Sequence, residues 1–307
     1  MSLLSLIAVF LIEQLRPLDY RRVVEDPLRA WADYIEVRFD AGKPNQGVAA
    51  WSVAVAAPVV ALGIVYYLLY ALSPVLACVL NVGVLYLTLG FRQFSHHFGE
   101  IQMALRLGDL PRARELLGEW LERPTTGLGS REIASLSIEA GLAAAHRHVF
   151  AVLLCFVLLP GPCGALLYRL AAVVAARWRK GGGAEDNEFS AFSGRVFGII
   201  DWLPARATAS AFAVVGDFED ALYCWRTQAD HWPDPELGIV LAGGAGALGV
   251  RLDMPVVEGV EISDRGELGL GDPADVDAMQ SGVGLVWRAT LLWMLLLFLL
   301  GLASLAG

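Results

Sequence analysis

The chain has 307 residues, of which 56% are hydrophobic and 18% charged, with a mean hydropathy of +0.54 and a formal net charge of −9. Soluble domains carry nearer a quarter charged residues, so the composition points to a membrane protein. The acidic balance argues against a nucleic-acid binder, which needs a basic face to neutralise phosphates.

In chain order, Ser2–Leu15 reads as a short apolar helix, marginal for spanning and suited to a tilted first span or an interfacial anchor. Met1 to Ile12 has no basic n-region and no small-residue cleavage site, so no cleavable signal peptide is expected. From Arg16 to Gln46 the chain is polar and basic, with Leu28, Trp31, Ala32, Ile35 and Phe39 at helical spacing. That pattern predicts an amphipathic surface helix. Residues 48–71 and 75–91 are transmembrane candidates, split by Ser73-Pro74, and Pro74 suits the first turn of a new helix.

Residues 92–147 read as a polar helical segment, with Asp109 as an N-cap and a further helix over Ile133–Ala145 capped by Ser130. Residues 149–176 are apolar again but interrupted by Pro160-Gly161-Pro162. They predict either one kinked span or two half-helices. Residues 177–281 form a second polar segment. The fourth span candidate, 285–306, contains one charge, Arg288, with Trp287 and Trp293 placed as interfacial anchors. The fold class expected is all-α: a polytopic helical integral membrane protein, 1–307 forming a single membrane domain with cytoplasmic helical segments. Basic residues number six in 16–46, seven in 92–147 and eight in 177–281, so the positive-inside rule puts all three on the cytoplasmic side.

Chemical motifs are few. Cys78, Cys155, Cys163 and Cys224 form no CxxC pair and no zinc spacing, and read as structural thiols. His96-His97 and His146-Arg147-His148 have side chains diverging around a helix, so no metal site is expected; both read as interface residues beside a span. Gly244-Ala245-Gly246-Ala247-Leu248-Gly249 satisfies GxGxxG. Ile239-Val240-Leu241 offers a strand and Glu267 an acid near the right distance, but Arg251, Asp253 and Pro255 replace the required helix. Small residues for close helix packing explain the run better. Asp201-Trp202-Leu203-Pro204-Ala205-Arg206 combines an acid, an aromatic, a Pro and an Arg. It suits either an interfacial elbow or phosphate recognition.

That last block, followed by Gly216-Asp217, Ala221-Leu222 and Trp225, resembles the "NWIPARL … GD…AL..W" block of the CobD/CbiB family. Trp232-Pro233-Asp234-Pro235-Glu236-Leu237-Gly238 and Ala245–Leu252 are similar to its "HPSPN.G … AGALGVRLGG" block. Pro162-Cys163-Gly164-Ala165 with Tyr168-Arg169, and Gly271-Asp272-Pro273, also resemble family blocks. The resemblance implies adenosylcobinamide-phosphate synthase chemistry: ATP- and Mg-dependent amide ligation of adenosylcobyric acid with aminopropanol or its phosphate, in the bacterial cytoplasmic (inner) membrane. The chain departs from the family's "ESxAEN…D" stretch. Glu139 is retained, but Ala143, Ala144 and Arg147 stand where the second Glu, the Asn and the Asp belong. Those losses imply a catalytically degenerate copy with no metal ligands of its own. The related AmpE branch, a non-catalytic membrane signalling modulator, shares Asp before the Trp and is the alternative. Family alignment puts a candidate ligand pocket at Arg131, Glu139, Arg195, Asp201 and Arg206. Its excess of Arg favours a corrinoid or another anionic small molecule. The other expected partner is membrane lipid.

Overall fold

The computed structural model describes residues 5, 6, 8, 9, 12, 21–39, 44–181, 188–252 and 268–306. Most of the helix expected at Ser2–Leu15, the Gly182-Gly183 linker and Glu267 lie outside the described residues. The described chain is all-α apart from two short strands. It forms two compact units: residues 1–92 with 147–204, and residues 93–146 with 205–307.

In the first unit, α1 (Asp26–Phe39) follows a π turn at Arg21–Glu25. Then come α2 (Pro44–Trp51), a π turn at Ser52–Ala56, α3 (Ala57–Leu72) and α4 (Pro74–Thr88). Residues Gln46–Leu72 make one continuous apolar helix, long enough to cross a membrane. No residue of α3 is buried, and Val60, Ile64, Leu68 and Leu72 all face outward. Ser73 adopts an extended backbone, so α3 stops there and Pro74 opens α4 without losing a needed N–H. With 15 residues, α4 is a shorter apolar helix than the expected 75–91 span. The amphipathic helix expected around Trp31 is α1. It buries Ala32 and Ile35 against α9 (Cys163–Gly181), where Trp178 Nε1 donates to the Ala32 carbonyl at 3.2 Å and Arg177 pairs with Asp33.

The second unit contains α5 (Phe91–Arg106) from Gln93 on, α6 (Leu110–Leu121) and α7 (Ser130–Ala145). Asp109 caps α6, accepting the Arg112 N–H at 3.1 Å. Ser130 is not the cap of α7: it is the first helical residue, Gly129 is the cap, and the Glu132 carboxylate accepts the Gly129 N–H at 2.5 Å.

The helix expected over Ile133–Ala145 does not end at the histidines. It continues through a π turn at His146–Phe150 into α8 (Ala151–Leu158), giving one apolar helix from Ser130 to Leu158. Three polar residues in a row do not end it, because His146 is buried and Arg147 and His148 are half-buried against neighbouring helices. The break expected near Pro160 is present: the helix ends at Leu158 and α9 begins at Cys163, with Gly161 at φ +63°. Helix α10 (Glu188–Val215) carries Pro204 in its interior.

Beyond α10, α11 (Phe218–Gln228) and α12 (Pro235–Leu248) pack as a hairpin. Asp217 caps α11, accepting from the N–H groups of Glu219 and Asp220; Asp234 caps α12 with Pro235 behind it. Ile239-Val240-Leu241 is helical and fully inside, not a strand, and the GxGxxG run is the last turn and a half of α12. A Cβ on Gly246 would lie 2.5 Å from the Asp220 carbonyl oxygen, so α11 and α12 touch backbone to backbone there. Gly249 ends α12 at φ +64°. Strands β1 (Val250–Arg251) and β2 (Asp272–Pro273) pair in parallel. The last helix, α13 (Val276–Ala306), starts earlier than the expected 285. It packs Leu285, Ala289, Trp293 and Leu297 inward at i, i+4 spacing, partly against α7. Trp293 is therefore a packing residue, not an interfacial anchor, while Trp287 is exposed.

Candidate functional site

Two polar pairs lie inside the first unit, both built on α9. Tyr168 and Arg169 are consecutive, so their side chains leave the helix about 100° apart and reach different neighbours. Tyr168 has no exposed surface. Its hydroxyl donates to Asp201 Oδ1 at 2.9 Å, and its ring lies 5.7 Å from that of Phe197. Phe197 and Asp201 are i and i+4 on α10, so one phenol docks across a single turn. Asp201 is 1% exposed.

Arg169, 3% exposed, places Nη2 2.9 Å from His148 Nδ1 and 3.9 Å from Glu25 Oε1. A guanidinium has donors only, so Nδ1 of His148 accepts, which fixes the neutral tautomer with its proton on Nε2. Glu25 supplies the countercharge that a buried guanidinium requires. The π turn at His146–Phe150 sets this register. His146, two residues earlier, belongs to the second unit, where its Nδ1 meets Thr208 Oγ1 at 3.0 Å with both side chains buried. The two histidines are parts of separate networks and do not form a metal pair. Among the described residues no three His, Cys, Asp or Glu side chains gather in a group able to hold a metal ion. The residues described thus do not assemble a magnesium cage.

The five residues expected in a ligand pocket are distributed as follows. Asp201 and Arg195 belong to the first unit. Asp201 is buried on Tyr168, whereas Arg195 is exposed, its Nε donating to the Ala191 carbonyl at 3.3 Å. Six residues apart, they leave α10 about 120° from each other. Arg131, Glu139 and Arg206 belong to the second unit. Arg131 is exposed in the first turn of α7, and Glu139 is half-buried about 12 Å further along it. Arg206 is half-buried on α10.

Sequence reasoning missed Arg169, His148 and Glu25 as a set. One signal was available: Arg169 is the one charge inside the apolar run 149–176, and an ionisable residue in such a run is a functional candidate.

The architecture thus defines a helical protein with apolar outer faces and buried, charge-bearing pairs between its helices. The chain belongs to the CobD/CbiB family: the family model described as CobD/Cbib protein matches residues 22–286. The chain is 34% identical over 273 residues to the "Cobalamin biosynthesis protein CobD" of Stutzerimonas stutzeri (strain A1501), covering 87% of each chain. It is 36% identical over 223 residues to the protein of the same name from Chromobacterium violaceum, covering 72% of this chain and 70% of that one. No solved structure matches it. The blocks that carry the resemblance, at 162–169, 201–225 and 232–252, fall on α9, α10, α11 and α12, so Tyr168, Arg169 and Asp201 lie within them.

Proposed function

We propose that this chain is a multi-pass protein of the cytoplasmic membrane that serves cobalamin biosynthesis. The step proposed is the joining of the carboxylate of adenosylcobyric acid to aminopropanol, or to its phosphate, through an amide bond. The observation that carries this reading is the family match over 22–286, together with relatives named for cobalamin biosynthesis at 34% and 36% identity.

Membrane residence is supported by three helices of sufficient length and apolarity, Gln46–Leu72, Ser130–Leu158 and Val276–Ala303. The outward face of α3 and that of α13 beyond Arg288 are apolar, with Ile64, Leu68, Leu291, Leu295 and Leu299 exposed. Soluble monomers rarely expose such patches. The Tyr168–Asp201 and Arg169–His148–Glu25 pairs support a functional polar centre. Charges held among apolar helices are costly and are kept where they act. ATP and magnesium belong to this reading through the family's chemistry alone.

A second reading, a non-catalytic membrane protein, is favoured by one observation: Ala143, Ala144 and Arg147 stand where the family's motif has a Glu, an Asn and an Asp. Complementation separates the two. Expression in a strain lacking its adenosylcobinamide-phosphate synthase should restore growth that depends on cobalamin synthesis. A membrane-inserted, stably expressed protein that gives no rescue would replace the ligase reading with the second.

A further inference from the structure

Helix α1 has two different sides. One carries Ala32 and Ile35 and is closed against the rest of the first unit, partly by α9. The other carries Trp31, Tyr34 and Val37 and stands open, with Val37 85% exposed and Tyr34 55%. The most exposed residues of this open stripe, Pro27, Ala30, Trp31, Tyr34 and Val37, are uncharged; Asp33 at its edge is neutralised by its ion pair with Arg177, and Asp26 and Arg38 close the ends. A helix facing water would place its polar residues there.

The neighbour of this stripe indicates what covers it. Trp31 Nε1 donates to the carbonyl of Ala54 at 3.2 Å. Ala54 is eight residues into the apolar helix Gln46–Leu72, hence about 12 Å along a helix about 40 Å long. A hydrocarbon core is about 30 Å thick, which leaves about 5 Å of interface at each end of such a helix. Trp31 therefore lies level with, or below, the boundary between headgroups and acyl chains.

We infer that the Trp31–Tyr34–Val37 face of α1 is a lipid contact, a helix lying half-sunk in the bilayer interface beside the first apolar span. This rests on the membrane reading proposed above. The stripe has the chemistry of that layer: Trp and Tyr rings prefer headgroup depth. Arg38 closes the stripe with its guanidinium 6.0 Å over the Tyr34 ring and Nη1 3.2 Å from the Tyr34 hydroxyl, a position suited to lipid phosphates.

The test uses the full chain with Cys78→Ser, its three other cysteines being buried, reconstituted into phosphatidylcholine–phosphatidylglycerol vesicles. Nitroxides are attached singly at Val37→Cys, Leu68→Cys and Glu115→Cys. Collision with oxygen, which concentrates in lipid, is compared with collision with a water-soluble nickel chelate. Val37 should favour oxygen and sit at a shallower depth than Leu68, while Glu115 favours nickel. Nickel preference at Val37 with oxygen preference at Leu68 would overturn the inference and leave the membrane reading standing. Nickel preference at both would overturn the membrane reading itself. An immobilised label at Val37, shielded from both reagents, would show that protein covers this face and would equally overturn the inference.

Discussion

The Tyr168 hydroxyl and the Asp201 carboxylate, 33 residues apart in sequence, meet at 2.9 Å with both side chains buried. A hydrogen bond to a carboxylate in this setting contributes about 1.5–3 kcal/mol. Tyr168→Phe should lower the thermal midpoint in detergent by several degrees. Asp201→Asn, which keeps an acceptor for the phenol, should cost less than Asp201→Ala. A double-mutant cycle combining Tyr168→Phe with Asp201→Ala should return a coupling of about 1–3 kcal/mol. Additive losses would show that the two side chains do not act together.

Arg169 holds the balance of the second pair. Arg169→Ala removes the donor to His148 and leaves Glu25 without its guanidinium, which for buried partners costs about 3–5 kcal/mol. Glu25 is about one-fifth exposed, so water screens its loss, and Glu25→Gln should be clearly milder. Both are measured as detergent-solubilised folded yield: equal loss in the two variants would show that water does not screen Glu25, and no loss in Glu25→Gln would place the countercharge elsewhere.

Gly246 and Gly99 should respond to alanine in opposite directions. At Gly246 the added methyl would press on the Asp220 carbonyl at 2.5 Å and the Ala221 Cα at 2.8 Å, overpacking worth about 1–3 kcal/mol. Gly99 is exposed on α5 with nothing within 4 Å of the new Cβ. Alanine there should stabilise by about 0.5–1 kcal/mol through helix propensity and the unfolded chain. Thermal unfolding of the two variants, side by side, checks the sign.

Cys224 is buried on α11, and burial, with Asp220 adding repulsion, pushes its thiol up to about 11 from an ordinary value of 9.0. The folded state thus favours the protonated thiol. Its contribution to stability is complete below pH 9 and is lost as pH rises from 9 through 11. The stability difference between the native chain and Cys224→Ala should shrink over that window. With the other three cysteines replaced, a thiol reagent at pH 8 should modify Cys224 only when the protein unfolds.

The helices were largely legible because their signals are local. Pro74 after Ser73, Asp109 before Pro111 and the Pro160–Pro162 break each act within a turn. The readings that failed needed tertiary information. His146, Arg147 and His148 looked like the end of a helix, yet the helix runs through them because Thr208 and Arg169 receive the two imidazoles. Trp293 looked interfacial because it lies near one end of an apolar run, but it continues an inward stripe that begins at Leu285. The strand possibility at 239–241 came from a short apolar run that also suits a buried helix, and the small residues after it decide for the helix by letting α11 approach. Of the site, Asp201 was visible through its motif. Its bond to Tyr168 and the Arg169–His148–Glu25 set join distant segments, and no spacing rule encodes them.

Amide ligation at a corrinoid is the step proposed for this chain, and the product itself is what distinguishes it. Purified protein in lipid nanodiscs would be incubated with adenosylcobyric acid, aminopropanol or its phosphate, and Mg-ATP, and the corrinoids resolved by mass. Ligation would yield a new corrinoid heavier by the aminopropanol unit less one water, formed only when the amine is present. A folded, monodisperse protein that leaves adenosylcobyric acid unchanged with both amines would contradict it.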